Sequence, residues 1–269
     1  MKQLHFIYRM HSAFSSDIMG HSFTLKCIPA TSEVQQIEII KQDISPIEWI
    51  SSGRDSFGTS YLYGCIQKPH DYFSVQIEGN AIVDRSFGGI RVDSGMERYG
   101  YETSLTKCSQ TMKCFAEQFK KKWFHADETI SDFQNMVFSL MEEIFHHMEY
   151  CPGATNIRTT AEEAFDEKKG VCQDYAHIMI SLCRFMGIPS IYVAGYMSGE
   201  GASHAWVAVC DRCTGQWYEI DPTNDRWVDD DYIIVSHGLD ADDCIINKGI
   251  FRGIASEIQD VTVIVEEIL

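Results

Sequence analysis

Two hydrophobic periods divide the chain. From residue 4 to residue 83 apolar positions recur every second residue, as in His21-Phe23-Leu25 and Tyr72 through Ile77, with turn residues Gly53, Asp55, Gly58 and Pro69 between the runs. That alternation predicts strands, and an N-terminal antiparallel β-domain of β-sandwich-like form is expected over residues 1–84. The stretch RSFGGIRVDSGMERYG, from Arg85 to Gly100, is rich in glycine and charge and has no period, so residues 85–108 read as the connector.

Past Ser109 the period lengthens. Phe133, Met136, Val137, Leu140, Met141, Ile144, Phe145 and Met148 recur at helical spacing, which predicts a helix over about 127–149 with a buried stripe. Cys151-Pro152-Gly153 stops it. Thr160-Ala-Glu-Glu163 then offers a capping box for a short helix ending at Gly170. A further helix over about 172–186 is closed by Gly187 and Pro189, and strands are expected at 190–196, 204–210, 216–221 and 259–267. The fold class is α+β, with helices packed on an antiparallel sheet in a second domain over 109–269.

The 269 residues are 45% hydrophobic and 12% aromatic, enough to fill a core. Thirty-nine acidic against 22 basic residues give a net charge of -17, which argues against nucleic acid and anionic membranes as partners. The start, MKQLHFIYRMHSAF, lacks an uninterrupted apolar run and a small-residue cleavage pattern, so a cytoplasmic location is expected. Most of the ten cysteines are then expected to be reduced and buried. Cys210 and Cys213 form one CxxC without a second CxxC or a matching His pair, a weak zinc signal, so no metal or cofactor is expected.

The chemistry concentrates in three places. Cys172 follows Gly170-Val171 at the first turn of a helix whose apolar face is Ala176, Met179, Ile180, Cys183 and Met186. Unpaired backbone N–H groups and the positive end of the helix dipole favour a thiolate at such a position, and the same groups suit an oxyanion. A base must come from elsewhere. His204, in SGEGASHAWVAV, is delivered by a Ser/Gly-rich loop to the start of an alternating strand, and Asp221 ends the strand WYEID just before Pro222. A carboxylate there can hold the second imidazole nitrogen.

Each residue has a plainer reading: Cys172 as a small buried hydrophobe, His204 as a satisfied half-buried histidine, Asp221 as a turn former. Order and context favour the nucleophile, base and orienter reading. Gln173 is a candidate for orienting an oxyanion or for capping the helix, and Trp206, on the face of His204, for walling the cleft or filling the core. His177 reads as a core residue, and Asp174 and Tyr175 as helix-fixing. The runs Asp229-Asp230-Asp231 and Asp240 to Asp243 lack calcium-loop spacing and read as solvated loops.

The blocks GVCQDYAHIMISLCRFMGIP, YVAGYMSGEGASHAWVAV and WYEIDPTND resemble the three successive motifs around the Cys, His and Asp of the transglutaminase-like superfamily, in particular its bacterial cysteine protease-like branch. TTAEEAFDEKKG, DDDYIIVSHGLDADDCIINKGIFRG and the RDSFG turn extend the similarity over nearly the whole chain. The resemblance implies a papain-like core with Cys172, His204 and Asp221 as a triad. It implies acyl transfer through a thioester: hydrolysis of a peptide or other amide, or alternatively protein-glutamine transamidation, or a non-catalytic binding module on the same fold. The expected partner is a peptide or protein substrate; oligomeric state is not legible. Two positions depart from the pattern, Ile191 and Leu239, where relatives often carry arginine.

Overall fold

The computed structural model describes residues 1–86, 88–90, 92, 95–123 and 130–268. The alternating first third forms β1 (Lys2–Leu25), β2 (Gln35–Ser45), β3 (Trp49–Arg54), β4 (Ser60–Ile66) and β5 (His70–Val83). After a 3-10 turn at Met96–Gly100 come α1 (Gln110–Trp123), α2 (Ile130–His147), β6 (Glu149–Tyr150), α3 (Ala161–Glu167), β7 (Lys169–Gly170) and α4 (Cys172–Phe185). The chain ends in β8 (Ser190–Met197), β9 (Ser203–Cys210), β10 (Trp217–Asp221), β11 (Arg226–Trp227), β12 (Tyr232–Gly238), β13 (Asn247–Arg252) and β14 (Glu257–Glu267). Residues 127–129, where the sequence predicts the start of the second helix, lie outside the described residues, as do Phe87, Arg91, Asp93 and Ser94 of the connector.

β1 organises the first sheet, whose order is β2-β5-β1-β4-β3. Its first half pairs with β5 and β14, and its second half with β4 and β13, all antiparallel. Leu4, Phe6, Tyr8 and Met10 alternate inward and are at most 2% exposed. Burying each such side chain contributes roughly 1.5–3 kcal/mol. The RDSFG turn is tied by Asp55 Oδ1, which accepts from the backbone N–H groups of Phe57 (2.9 Å) and Thr59 (3.0 Å).

The C-terminal strands differ from the sequence reading. The strand predicted at 259–267 belongs to the first sheet, running from Leu4↔Glu267 to Phe14↔Glu257 along β1, with Val263 and Val265 in the core of that sheet. Period-two alternation says which face is buried but not which strand is the neighbour. The short helix also stops earlier than Gly170. Lys168 takes a left-handed conformation (φ 56°) at its C-cap, which frees Lys169 and Gly170 to pair with Glu149 and Tyr150.

The second sheet has the order β11-β10-β9-β8-β12. Ala205, Val207 and Val209 of β9 face the helices, whereas Trp206, Ala208 and Cys210 face a separate cluster with Tyr99, Ile191, Val193 and Tyr232. The departure residues Ile191 and Leu239 both pack in that second cluster. Arg184 Nη2 donates to the carbonyls of Ser190 (2.9 Å) and Leu239 (2.7 Å), holding the two segments together through backbone.

Candidate active site

α4 begins at Cys172, with Val171 as its N-cap. Valine has no side-chain acceptor, so Asp174 supplies the cap from inside the first turn. Its Oδ2 accepts from the Val171 N–H (2.8 Å) and from Thr155 Oγ1 (2.6 Å). Burial pushes the Asp174 carboxyl up, and the bonds from Thr155 and Val171 oppose that shift. The predicted apolar face is real: Ala176, Met179, Ile180 and Cys183 are fully buried. Anchored in this way, the helix presents Cys172 and Gln173, both half-buried, at its N-terminal end, where first-turn N–H groups have no intrahelical acceptor.

His204 enters from β9, opposite Gly195 of β8. A Cβ at Gly195 would collide with the Ile233 carbonyl and the Trp206 indole, so glycine is required for β12 and Trp206 to close around the histidine. His204 Nε2 lies 2.8 Å from Asp221 Oδ2, and both side chains are sealed from solvent. The carboxylate is further held by Tyr232 Oη (2.7 Å), Asn224 Nδ2 (2.7 Å) and the backbone N–H groups of Thr223 (2.9 Å) and Asn224 (3.3 Å). Burial disfavours charge on both partners, yet these bonds outweigh it. Asp221 is held below the usual carboxylate range, and His204 is pushed up by its bond to Asp221, with the nearby Cys172 and Glu200 adding to the shift.

The other ring nitrogen, Nδ1, is buried and has no partner of hydrogen-bond geometry. Asp221 occupies Nε2, so Nδ1 is the nitrogen left for the Cys172 thiol, whose proximity contributes to the histidine's raised proton affinity. His204 and Asp221, far apart in sequence, are thus in direct contact, and Cys172 adds to the proton affinity of the same histidine. A thiol near an imidazole that a carboxylate orients suits attack on an acyl carbon.

The remaining candidates separate. Trp206 does not wall a cleft: it is fully buried beneath His204, ring centroids 6.3 Å apart, and its Nε1 donates to Glu219 Oε2 at 2.8 Å. Alternation puts Trp206 on the face of His204, but two residues deeper, where the core closes over it. Gln173 stays at the helix mouth. His177 is a core residue whose Nε2 accepts from the Ala241 N–H (3.2 Å), and burial pushes its imidazole down to about 3. Cys210 is buried with its sulfur 3.1 Å from Met96 Sδ, whereas Cys213 is exposed.

Two residues at the mouth were not singled out from sequence. Glu200 Oε1 lies 3.8 Å from His204 Nδ1. Tyr150 pairs with Gly170, two residues before Cys172; burial pushes its phenol up, and the charges of Cys172 and Glu200 add to this. Neither lies in a periodic segment, so neither left a hydrophobic signature.

Residues 118–222, the segment that carries Cys172, His204 and Asp221, match the family model described as the transglutaminase-like superfamily. The match covers less than half of the chain, and over that segment the chain is similar to the superfamily. An uncharacterized protein of Mycobacterium leprae (strain TN) is 38% identical over 126 residues, 43% of this chain and 44% of the relative. A protein-glutamine gamma-glutamyltransferase of Pseudomonas aeruginosa is 32% identical over 106 residues, 34% of this chain and 16% of that protein. The matched segments therefore span less than half of these curated relatives. A solved structure from Cytophaga hutchinsonii, described as that of a candidate cysteine protease, shares the fold with TM-score 0.76 at 20% identity, covering 99% of this chain and 90% of that one.

Proposed function

We propose that the chain is a thiol-dependent acyl-transfer enzyme that hydrolyses a peptide or other amide bond through a thioester on Cys172. The observation that carries this reading is the sealed His204–Asp221 pair, whose second nitrogen is left for the Cys172 thiol.

In this mechanism the Cys172 sulfur attacks the amide carbonyl, and first-turn N–H groups of α4 receive the charge that develops on oxygen. His204 gives a proton from Nδ1 to the nitrogen of the breaking C–N bond, and the amine departs. Asp221 keeps the ring oriented and stabilises its protonated form, as five hydrogen bonds to its carboxylate require it to remain an acceptor. A water molecule then attacks the thioester carbonyl, gives its proton to His204 and releases the acid and the Cys172 thiolate.

Hydrolysis is the favoured fate because the mouth is open. Cys172 is half-buried and Tyr150 beside it is 48% exposed, so bulk water reaches the thioester. The test supplies a peptide library containing glutamine, together with a labelled amine. Accumulation of free acid or cleaved peptide, dependent on Cys172, supports hydrolysis. Label incorporated without acid would replace it by transamidation, and no turnover with the library overturns a peptide or glutamine-amide substrate.

A further inference from the structure

We propose that the open edge of β14 docks a polypeptide substrate: an extended segment carrying lysine or arginine adds to it as a further strand and is thereby led to the loop that runs into His204. The inference rests on the acyl-transfer reading above and specifies its substrate as an extended cationic chain.

The ladder of β14 fixes which of its backbone groups face outward. The Ser15 N–H donates to the Ser256 carbonyl (3.0 Å) and the Ile268 N–H to the Gln3 carbonyl (2.8 Å), so the even-numbered positions bond to β1. In an antiparallel pair the intervening residues turn both N–H and C=O away from that partner, here Glu257, Gln259, Val261, Val263 and Val265. One end of this outward row is already taken. The Val263 N–H donates to the Gly201 carbonyl (2.9 Å), and the Val265 carbonyl accepts from Ser198 Oγ (3.3 Å). That loop leads into β9, which starts at Ser203 and carries His204. The other end, Glu257 to Val261, has no backbone partner on its outer side among the described residues, and Glu257 through Thr262 are all exposed.

This edge lacks common protections against strand pairing. Its register with β1 is unbroken from Leu4↔Glu267 to Phe14↔Glu257, and it contains no lysine, arginine or proline. β2, the edge on the other side of β5, has a register break between Ile39 and Lys41 and carries that lysine. β14 instead offers Glu257 and Asp260, with Ile258, 70% exposed, between them. Two copies meeting along this strand would gather the acids of both in one short ladder, which disfavours a second copy as the occupant. A cationic segment is attracted by the same acids and by the net charge of -17. Strand addition of this kind takes its affinity from main-chain hydrogen bonds and its selectivity from alternate side chains. A strand laid on the open stretch runs into the 198–201 loop, which occupies the next outward position and deflects the chain toward the site.

The experiment titrates a blocked hexapeptide of alternating lysine and valine into the full chain carrying Cys172→Ala, by calorimetry at low salt. Main-chain pairing predicts binding of this peptide and none of its fully N-methylated form. Val261→Pro removes an outward donor and leaves the bonds to β1 in place, so affinity should fall about tenfold or more with little change in melting temperature. Glu257→Lys combined with Asp260→Lys touches no ladder bond and should transfer the preference to a glutamate–valine hexapeptide; this variant and the N-methylated peptide decide the matter should Val261→Pro fail to fold. Equal binding of the N-methylated peptide, an unchanged affinity in folded Val261→Pro, or a dimer through this edge that excludes the peptide overturns the proposal. With Cys172 present, amides are attached to either end of the lysine–valine peptide. A KM that Val261→Pro raises more than it lowers kcat supports docking of substrate, and turnover with KM unmoved overturns it. Binding without any Cys172-dependent turnover would support the docking edge and count against the acyl-transfer reading instead.

Discussion

His204 and Asp221, separated by a whole strand and its turn, meet through a 2.8 Å contact between Nε2 and Oδ2 from which solvent is excluded. Everything proposed for the site depends on the ring being held from that side, because that leaves Nδ1 for the thiol. Asp221→Asn keeps the shape but presents an amide to the imidazole, and acyl transfer is expected to fall by about 10³–10⁴-fold. Steady-state turnover of any substrate found by the library screen measures it.

Tyr232 serves the same carboxylate from β12. Tyr232→Phe removes one hydrogen bond to a buried charged acceptor, which costs about 1.5–3 kcal/mol. Chemical denaturation reads the loss directly. Activity should decline less than in Asp221→Asn, since the His204 contact itself remains.

The pH dependence of stability has two limbs with different owners. His204 has a raised proton affinity in the folded state, so its contribution is full below about 6.5 and declines as pH rises toward its folded value. The stability gap between wild type and His204→Gln should therefore narrow as melts are taken from pH 7 upward. Acid acts through the buried histidines. Burial holds His177 down to about 3 and His21 down to about 4, so the unfolded chain takes up protons below about 6.5 that the folded chain refuses. Stability falls from that point downward, and His177→Gln, which keeps an acceptor for the Ala241 N–H, should flatten the fall. An unchanged acid limb in that variant would contradict the assignment.

Gly195 tests whether the sheet must close tightly around the histidine. A single added methyl meets both the Ile233 carbonyl and the Trp206 indole, so Gly195→Ala is expected to cost at least about 1–3 kcal/mol. It should also weaken activity, because β8 and β12 hold the strand from which His204 projects. A variant as stable and active as the wild type would show that the contact is relieved at no cost.

Much of this site is legible in the residues alone, for identifiable reasons. Cys172 is marked by a helix start with a five-residue apolar stripe behind it, and Asp221 and His204 by strands that begin or end at turns. These are local signals, and the structure places His204 against Asp221. Trp206 shows the limit: alternation gives its face, while depth along the strand, which decides between cleft and core, depends on what β12 lays over it. Glu200 and Tyr150 were invisible because a glutamate between two glycines and a tyrosine on a two-residue strand have no period at all. The pairing of β14 with β1, across nearly the whole chain, was unreadable because identical alternation suits any neighbouring strand.

The most direct measurement is the alkylation of individual cysteines by limiting iodoacetamide near neutral pH, followed by peptide mass spectrometry. All ten cysteines are free, and five of them are buried. An activated nucleophile predicts that Cys172 reacts much faster than the likewise half-buried Cys151 and the exposed Cys114 and Cys213, and that Asp221→Asn slows Cys172 alone. Alkylation of Cys172 at the rate of those three, unaltered by Asp221→Asn, would contradict the account.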